Sequence, residues 1–137
     1  MGNEHEIKVI VKVTQQNRNE QKIEGWLIQK AHSVYIRYPE KEMGETTTII
    51  KLEEGKVTII RMGEIKMKQI FQEGLESISY YETAYGIIEL LVYTHFLRIE
   101  QQNRNHWKVF LDYDVSLNEG MKERKTIYIE VKEEAAP

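Results

Sequence analysis

Cysteine is absent from this chain, and proline occurs only twice. Without cysteine no disulfide can staple the fold and no thiol can serve as nucleophile or soft metal ligand; the composition fits a reducing, cytoplasmic setting. Long apolar runs are missing too, and no stretch approaches the roughly 20 residues that cross a membrane as a helix. The N-terminus, MGNEHEIKVIVKV, carries acids early and no hydrophobic segment of signal length. Gly2 follows Met1, but the sixth position is Glu6, where myristoylation calls for Ser or Thr. An excess of positive charge is also lacking: 19 Lys and Arg stand against 22 Asp and Glu, a net charge of −3. That is not the strongly basic footprint of a nucleic-acid binder, and Tyr35, Arg37 and Tyr80 do not amount to a basic stacking stripe. Finally, no window repeats its apolar residues with a helical period, so no helix longer than a turn is expected.

What the chain has is alternation. Its 137 residues, 41% hydrophobic and 30% charged, make one domain, 1–137, large enough for a real core. His5–Thr14 places Ile7, Val9, Val11 and Val13 on one side and mostly Glu and Lys on the other, as a half-buried strand does. A polar turn over Gln15–Glu24 follows, with Asn17 and Asn19 suited to it. Gly25–Lys30 and Ser33–Tyr38 read as one second strand broken at Ala31–His32. Pro39 ends it, because proline cannot donate to the ladder. Past a loop holding Met43 and Gly44, Thr46–Glu53 is the third strand, and Glu54–Gly55 makes a hairpin into the fourth.

That fourth strand, Val57–Phe71, organises the rest. Val57, Ile59, Arg61, Gly63, Ile65, Met67, Gln69 and Phe71 share one face; Glu64, Lys66 and Lys68 share the other. At about 3.3 Å per residue the run is near 50 Å long, too long for one straight strand, so Gly63 is expected to bend it around a closing sheet. Ser77–Thr83, Ile87–Glu100, His106–Leu117 and Arg124–Lys132 complete eight strands. In the seventh, Trp107, Val109, Leu111, Tyr113, Val115 and Leu117 lie on one face, and Asp112 and Asp114 fall on the solvated one. Glu133–Pro137 reads as a frayed tail. Short connections argue for an all-β, single eight-stranded up-and-down antiparallel barrel, since closure removes both exposed edges. Loops 1/2, 3/4, 5/6 and 7/8 then ring one mouth, and loops 2/3, 4/5 and 6/7 ring the other with both termini. The repeated QQNRN, at Gln15–Asn19 and Gln101–Asn105, falls at opposite ends and reads as recurring turn chemistry.

Several features in order resemble those of the YwiB-like family, uncharacterised bacterial proteins with a lipocalin-like (calycin-type) barrel. They are Tyr38–Glu40, Thr47–Ile49, Arg61–Met62–Gly63, Tyr81-x-Thr83-x-Tyr85–Gly86, Thr94 and Tyr113–Asp114. The resemblance implies an eight-stranded barrel, in agreement with the strand count, and no activity. The chain departs from secreted lipocalins: Gly25–Trp26 lies on the second strand without their Gly-x-Trp spacing. Gln15–Glu24 is too short and polar for the helical lid of intracellular fatty-acid carriers.

The sharpest chemical signal is Arg61, a cation set among inward-facing apolar residues. Two readings stand open. Arg61 either anchors a carboxylate or phosphate of a ligand inside the barrel, or is satisfied by an internal carboxylate or by carbonyls. In the first reading Tyr81 and Thr83, next door in the fifth strand, supply hydroxyls, while Thr94, Tyr113 and Tyr38 line the pocket. In the second the tyrosines fill the core. Histidines 5, 32, 95 and 106 show no metal-ligand spacing, and no Gly-x-Ser-x-Gly, phosphate loop or His-Glu-x-x-His is present. No catalytic residue, metal or cofactor is assigned. The expected function is non-catalytic binding of a small, partly apolar, anionic or neutral molecule inside the barrel. The alternative is a protein–protein interaction module with a packed barrel and no ligand. Oligomeric state is left open.

Overall fold

A strand at a sheet edge carries a row of N–H and C=O groups without partners, and this chain removes that row by zipping its first strand to its last. The computed structural model describes residues 6–16, 18–41, 44–117 and 120–134. Its strands are β1 (Glu6–Gln15), β2 (Gln21–Gln29), β3 (Val34–Glu40), β4 (Thr46–Glu53), β5 (Lys56–Gly63), β6 (Met67–Phe71), β7 (Glu76–Thr83), β8 (Gly86–Asn103), β9 (His106–Leu117) and β10 (Glu123–Glu133). They form one antiparallel sheet in the order β6-β5-β4-β3-β2-β1-β10-β9-β8-β7. β1 and β10 pair from Val9↔Glu133 to Gln15↔Ile127. The ring comes together again between β6 and β7, less completely. There Lys66 N donates to Glu82 O at 3.1 Å and Glu82 N to Lys66 O at 2.8 Å; near the opposite end Gly74 N donates to Thr94 O at 2.8 Å. The incomplete seam therefore lies mid-chain, not between the first and last strands. Of the residues named above, Met1, Gly2, His5, Asn17, Met43 and the tail from Ala135 to Pro137 lie outside the described residues.

Ten strands replace the expected eight, for two physical reasons. The supposed break at Ala31–His32 is a tight reversal closed by Lys30 N donating to Ser33 O at 2.8 Å, so β2 and β3 are two antiparallel strands. β2 also begins at Gln21, inside the segment read as a polar turn. Its outward residues are Lys22 and Glu24, and its inward ones include Gln21 and Gly25, so the alternation is camouflaged. The long fourth strand is not curled around the sheet at Gly63; the chain reverses there into antiparallel β5 and β6. Gly63 has φ 146°, and a Cβ there would lie 2.0 Å from the carbonyl oxygen of Glu45.

The two added reversals cancel. Hairpins β1–β2, β3–β4, β5–β6, β7–β8 and β9–β10 share one end; the other connections share the end with the chain termini. Expected loops 2/3 and 3/4 therefore exchange ends, while the two QQNRN copies stay at opposite ends.

Proline 39 does not stop its strand. β3 continues to Glu40, and Pro39 pairs with Thr47 of β4. On its other side the β2–β3 register ends at Trp26↔Arg37, so the missing N–H faces no partner there. Gly25 marks the point of divergence, because a Cβ on it would lie 2.6 Å from the Arg37 carbonyl oxygen.

The core is built from the alternation. Val9, Val11, Leu27, Ile36, Ile50, Val57, Phe71, Val109, Leu111, Ile129 and Val131 are essentially inaccessible. One strand changes phase along its length and another departs from expectation at its end. A bulge between Thr94 and Phe96 shifts the inward face of β8 from Leu90, Val92 and Thr94 to Leu97 and Ile99. At the end of β9 Ser116 is buried and Leu117 exposed, although Leu117 stands opposite the buried Leu90.

Gly63→Ala is expected to destabilise the barrel by about 3 kcal/mol, combining positive-φ strain with a backbone clash. Gly55→Ala, at φ 69° with nothing within 4 Å, is expected to cost only about 1 kcal/mol. Urea unfolding of the two variants compares them directly.

Candidate functional site

Inward-facing residues change character along the barrel. Toward the end that carries the chain termini they are Val, Ile, Leu and Phe. Toward the β1–β2 end, Tyr38, Thr46, Thr48, Gln69, Thr94 and Tyr113 are all buried. Strand alternation produces this directly: Tyr38 and Glu40 follow Val34 and Ile36 on β3, and Thr46 and Thr48 precede Ile50 and Leu52 on β4.

The organising group is a carboxylate. Oε1 of Glu40 accepts hydrogen bonds from Thr48 Oγ1 at 2.6 Å and from Arg61 Nε at 3.3 Å. The Arg61 and Glu40 side chains are only 11% and 12% exposed. Arg61 is thus inside the barrel, as its phase on the strand required, and has an internal partner. Its terminal nitrogens make no hydrogen bond among the described residues. Burial pushes the Tyr38 phenol far up, reinforced by the adjacent Glu40 charge and opposed by Arg61. Burial likewise pushes Tyr113 up to about 12, again against the field of Arg61. Tyr113 packs edge-on against Phe71, ring centroids 5.0 Å apart, so it reaches across the interior.

The structure therefore places Tyr38, Arg61, Thr94 and Tyr113 in the interior, and Tyr81 and Thr83 apart from Arg61. Because the fourth strand is divided, β6 intervenes between β5 and β7, and Tyr81 stands two strand spacings, about 10 Å, from Arg61. The Thr83 hydroxyl donates to Gly86 O at 3.2 Å and accepts from Tyr85 N at 3.1 Å, holding the β7–β8 turn. Three buried hydroxyls, of Ser77, Ser79 and Thr94, have no hydrogen-bond partner among the described residues, and all belong to β7 and β8 beside the seam. Glu40 belongs to the Tyr38–Glu40 motif, which does not by itself mark it as a site residue. Its spacing of two from Tyr38 puts both on one face of a strand, a signal hidden by taking Pro39 as the stop.

Outside, the wall has a cleft where β2 leaves β3. It encloses about 730 Å³ and is lined by Lys8, Lys22, Ile23, Glu24, Trp26, Pro39, Glu40 and Lys41 among others. Arg37, a candidate for a basic surface, pairs with Glu6 at 3.2 Å. Tyr35 on β3 and Tyr80 on β7 lie on different sides of the ring, so they make no common stacking face. The outward Asp112 and Asp114 are tied into ion pairs. Arg124 holds Asp112 through two 2.9 Å contacts and keeps its carboxyl below the usual range; Asp114 contacts His95 at 2.9 Å. Among the described residues no cluster of three His, Asp or Glu could hold a metal ion, and no helix is long and apolar enough to cross a membrane.

A family model described as a domain of unknown function, DUF1934, matches residues 6–129. The chain belongs to this family. It is 30% identical over 96 residues to the uncharacterized beta-barrel protein YwiB of Bacillus subtilis (strain 168), a match covering 69% of this chain and 67% of that protein. The crystal structure of the ywiB protein from Bacillus subtilis superposes with a TM-score of 0.75 at 26% identity, over 98% of this chain and 96% of that one. The family resemblance read from the motifs thus holds, and with it the barrel and a function that is uncharacterised in the relative as well.

Arg61→Leu leaves the Glu40 carboxylate enclosed without its cation and is expected to cost about 3 kcal/mol; adding Glu40→Leu should recover most of that loss. Unfolding of the single and double variants in urea measures both. A second expectation concerns pH. His106, 2.7 Å from Glu130, holds that carboxyl below its ordinary value of 4.5. A depressed carboxyl contributes stability that is present above its unfolded value and lost as pH falls through the native one. The stability difference between the native chain and E130Q should therefore be full near pH 6 and shrink below about pH 4.5.

Proposed function

We propose that this protein is a non-catalytic interaction module that recognises a macromolecular partner through its outer wall, its interior being structural. The carrying observation is the Glu40 carboxylate, which takes hydrogen bonds from Arg61 and Thr48 inside the barrel. The cation that would otherwise anchor an anionic ligand already has a counter-charge, and an internal ion pair of this kind specifies a packed arrangement. Valine, isoleucine, leucine and phenylalanine side chains occupy the other end of the interior, where a carrier would need space. A cytoplasmic setting belongs to this reading, supported by the lack of cysteine.

A second reading has its own support. The buried hydroxyls of Ser79 and Thr94 and the terminal nitrogens of Arg61 make no hydrogen bond among the described residues, toward the part of the barrel that also holds Tyr38 and Tyr113. A small polar or anionic molecule there would complete these groups, in the manner of a lipocalin-like carrier. Native and denaturing mass spectrometry of the purified protein separates the two. The interaction module predicts the same bare mass under both conditions, before and after incubation with cell extract depleted of macromolecules. A discrete small molecule that leaves on denaturation would transfer the assignment to the carrier.

A further inference from the structure

Two places in the wall lack strand pairing, and they differ in kind. The β6–β7 seam is pinned at both ends by backbone hydrogen bonds, from Lys66 to Glu82 and from Gly74 to Thr94. Among the described residues the β2–β3 divergence is pinned only at its root. From Gln21 to Glu24 the β2 backbone pairs with β1 on one side and is outside the β3 register on the other. Four residues at about 3.3 Å each give an edge about 13 Å long, enough for a short added strand. The facing edge of β3 is blunted by Pro39, which has no N–H to offer, so an incoming segment has one competent edge to pair with.

The cleft's side chains define what that segment should carry. Trp26, 38% exposed, Pro39 and Ile23 present apolar surface. Lys8, Lys22 and Lys41 supply positive charge against Glu24, since Glu40 is turned to Arg61 and Thr48. Lys8 reaches Glu134 at 3.7 Å, while Lys22 and Lys41 make no ion pair among the described residues. Lys22 also stands directly across from Lys12, a like-charge pair that costs stability and is relieved by an anion.

We infer that the Gln21–Glu24 edge of β2, which lies outside the β3 register, is a strand-addition site for an extended acidic peptide segment, its apolar residues against Trp26 and Pro39 and its carboxylates opposite Lys22 and Lys41. This rests on the reading of the protein as an interaction module. Main-chain pairing supplies affinity and the alternate side chains supply selectivity, as in other edge-binding domains.

Selection from a random decapeptide library displayed on phage, followed by amide hydrogen exchange with one enriched synthetic peptide, tests the site. Expected are enriched sequences that alternate acidic with β-branched or aromatic residues, protection of the Gln21–Glu24 amides, and a shift in Trp26 emission that Trp26→Phe abolishes. The double variant Lys22→Glu/Lys41→Glu, with both changes on exposed side chains, should weaken binding at least about tenfold at low salt and favour basic peptides on reselection. The inference is overturned if no peptide enriches, if the double variant binds the acidic peptides undiminished, or if protection falls on β6 and β7 instead. Any of these together with a bare native mass would refute the site alone. A departing small molecule would refute the module itself.

Discussion

Everything in this molecule depends on closing a ring of strands so that backbone groups find partners without helices or cross-links. β1 and β10 achieve this by pairing along most of their lengths, which makes the two ends of the chain mutually necessary. With no disulfide to hold the ring, the interior must do so by burial. The inward rows of β1, β9 and β10, from Val9 and Val11 to Val109, Ile129 and Val131, place their apolar side chains under the closing ladder. The ladder and the core thus support the same junction.

Closure is not uniform, and its departures have local causes. Gly63 lets β5 turn sharply against the carbonyl of Glu45, which separates β6 and moves β7 one strand away from Arg61. Pro39 and Gly25 act as a pair on the other side. The proline can sit inside β3 only because β2 has left, and the glycine lets the two backbones approach closely just before they part. The cleft between them is the outer surface of the same segment whose inner surface carries Tyr38 and Glu40. Glu40 lines the cleft as well, so an occupant would lie beside the Glu40–Arg61 pair. The polar end of the barrel and the open part of its wall are one region.

Tying Arg61 to Glu40 changes how the interior should be understood. An arginine on an inward face calls for a counter-charge, and this chain supplies it from a strand two positions away in the ring, at a residue directly after a proline. The buried hydroxyls of Ser77, Ser79 and Thr94 are a different matter. They gather on β7 and β8, next to the β6–β7 junction where the ladder is incomplete, so polar groups and weak pairing occur together.

Much of this was legible beforehand. Alternation alone marked the buried rows of the strands beginning near Ile7, His106 and Arg124, and the phase of Val57–Phe71 placed Arg61 inside and Lys66 and Lys68 outside. Those features are local: a side chain's face follows from its position along a strand. The start of β2 was hidden because Gln21 and Gly25 occupy inward positions without apolar bulk, and the extent of β3 because proline forbids pairing on only one of its two edges. Which edge that is depends on the neighbouring strand. The sequence by itself determined the strand-rich class, the absence of covalent staples, the buried faces and the family. Only the tertiary structure decided the number of strands, the partner of Arg61, the separation of Tyr81 and Thr83 from it, and where the wall opens. Each of these is a relation between segments distant in sequence, set by register and closure that no single strand's pattern contains.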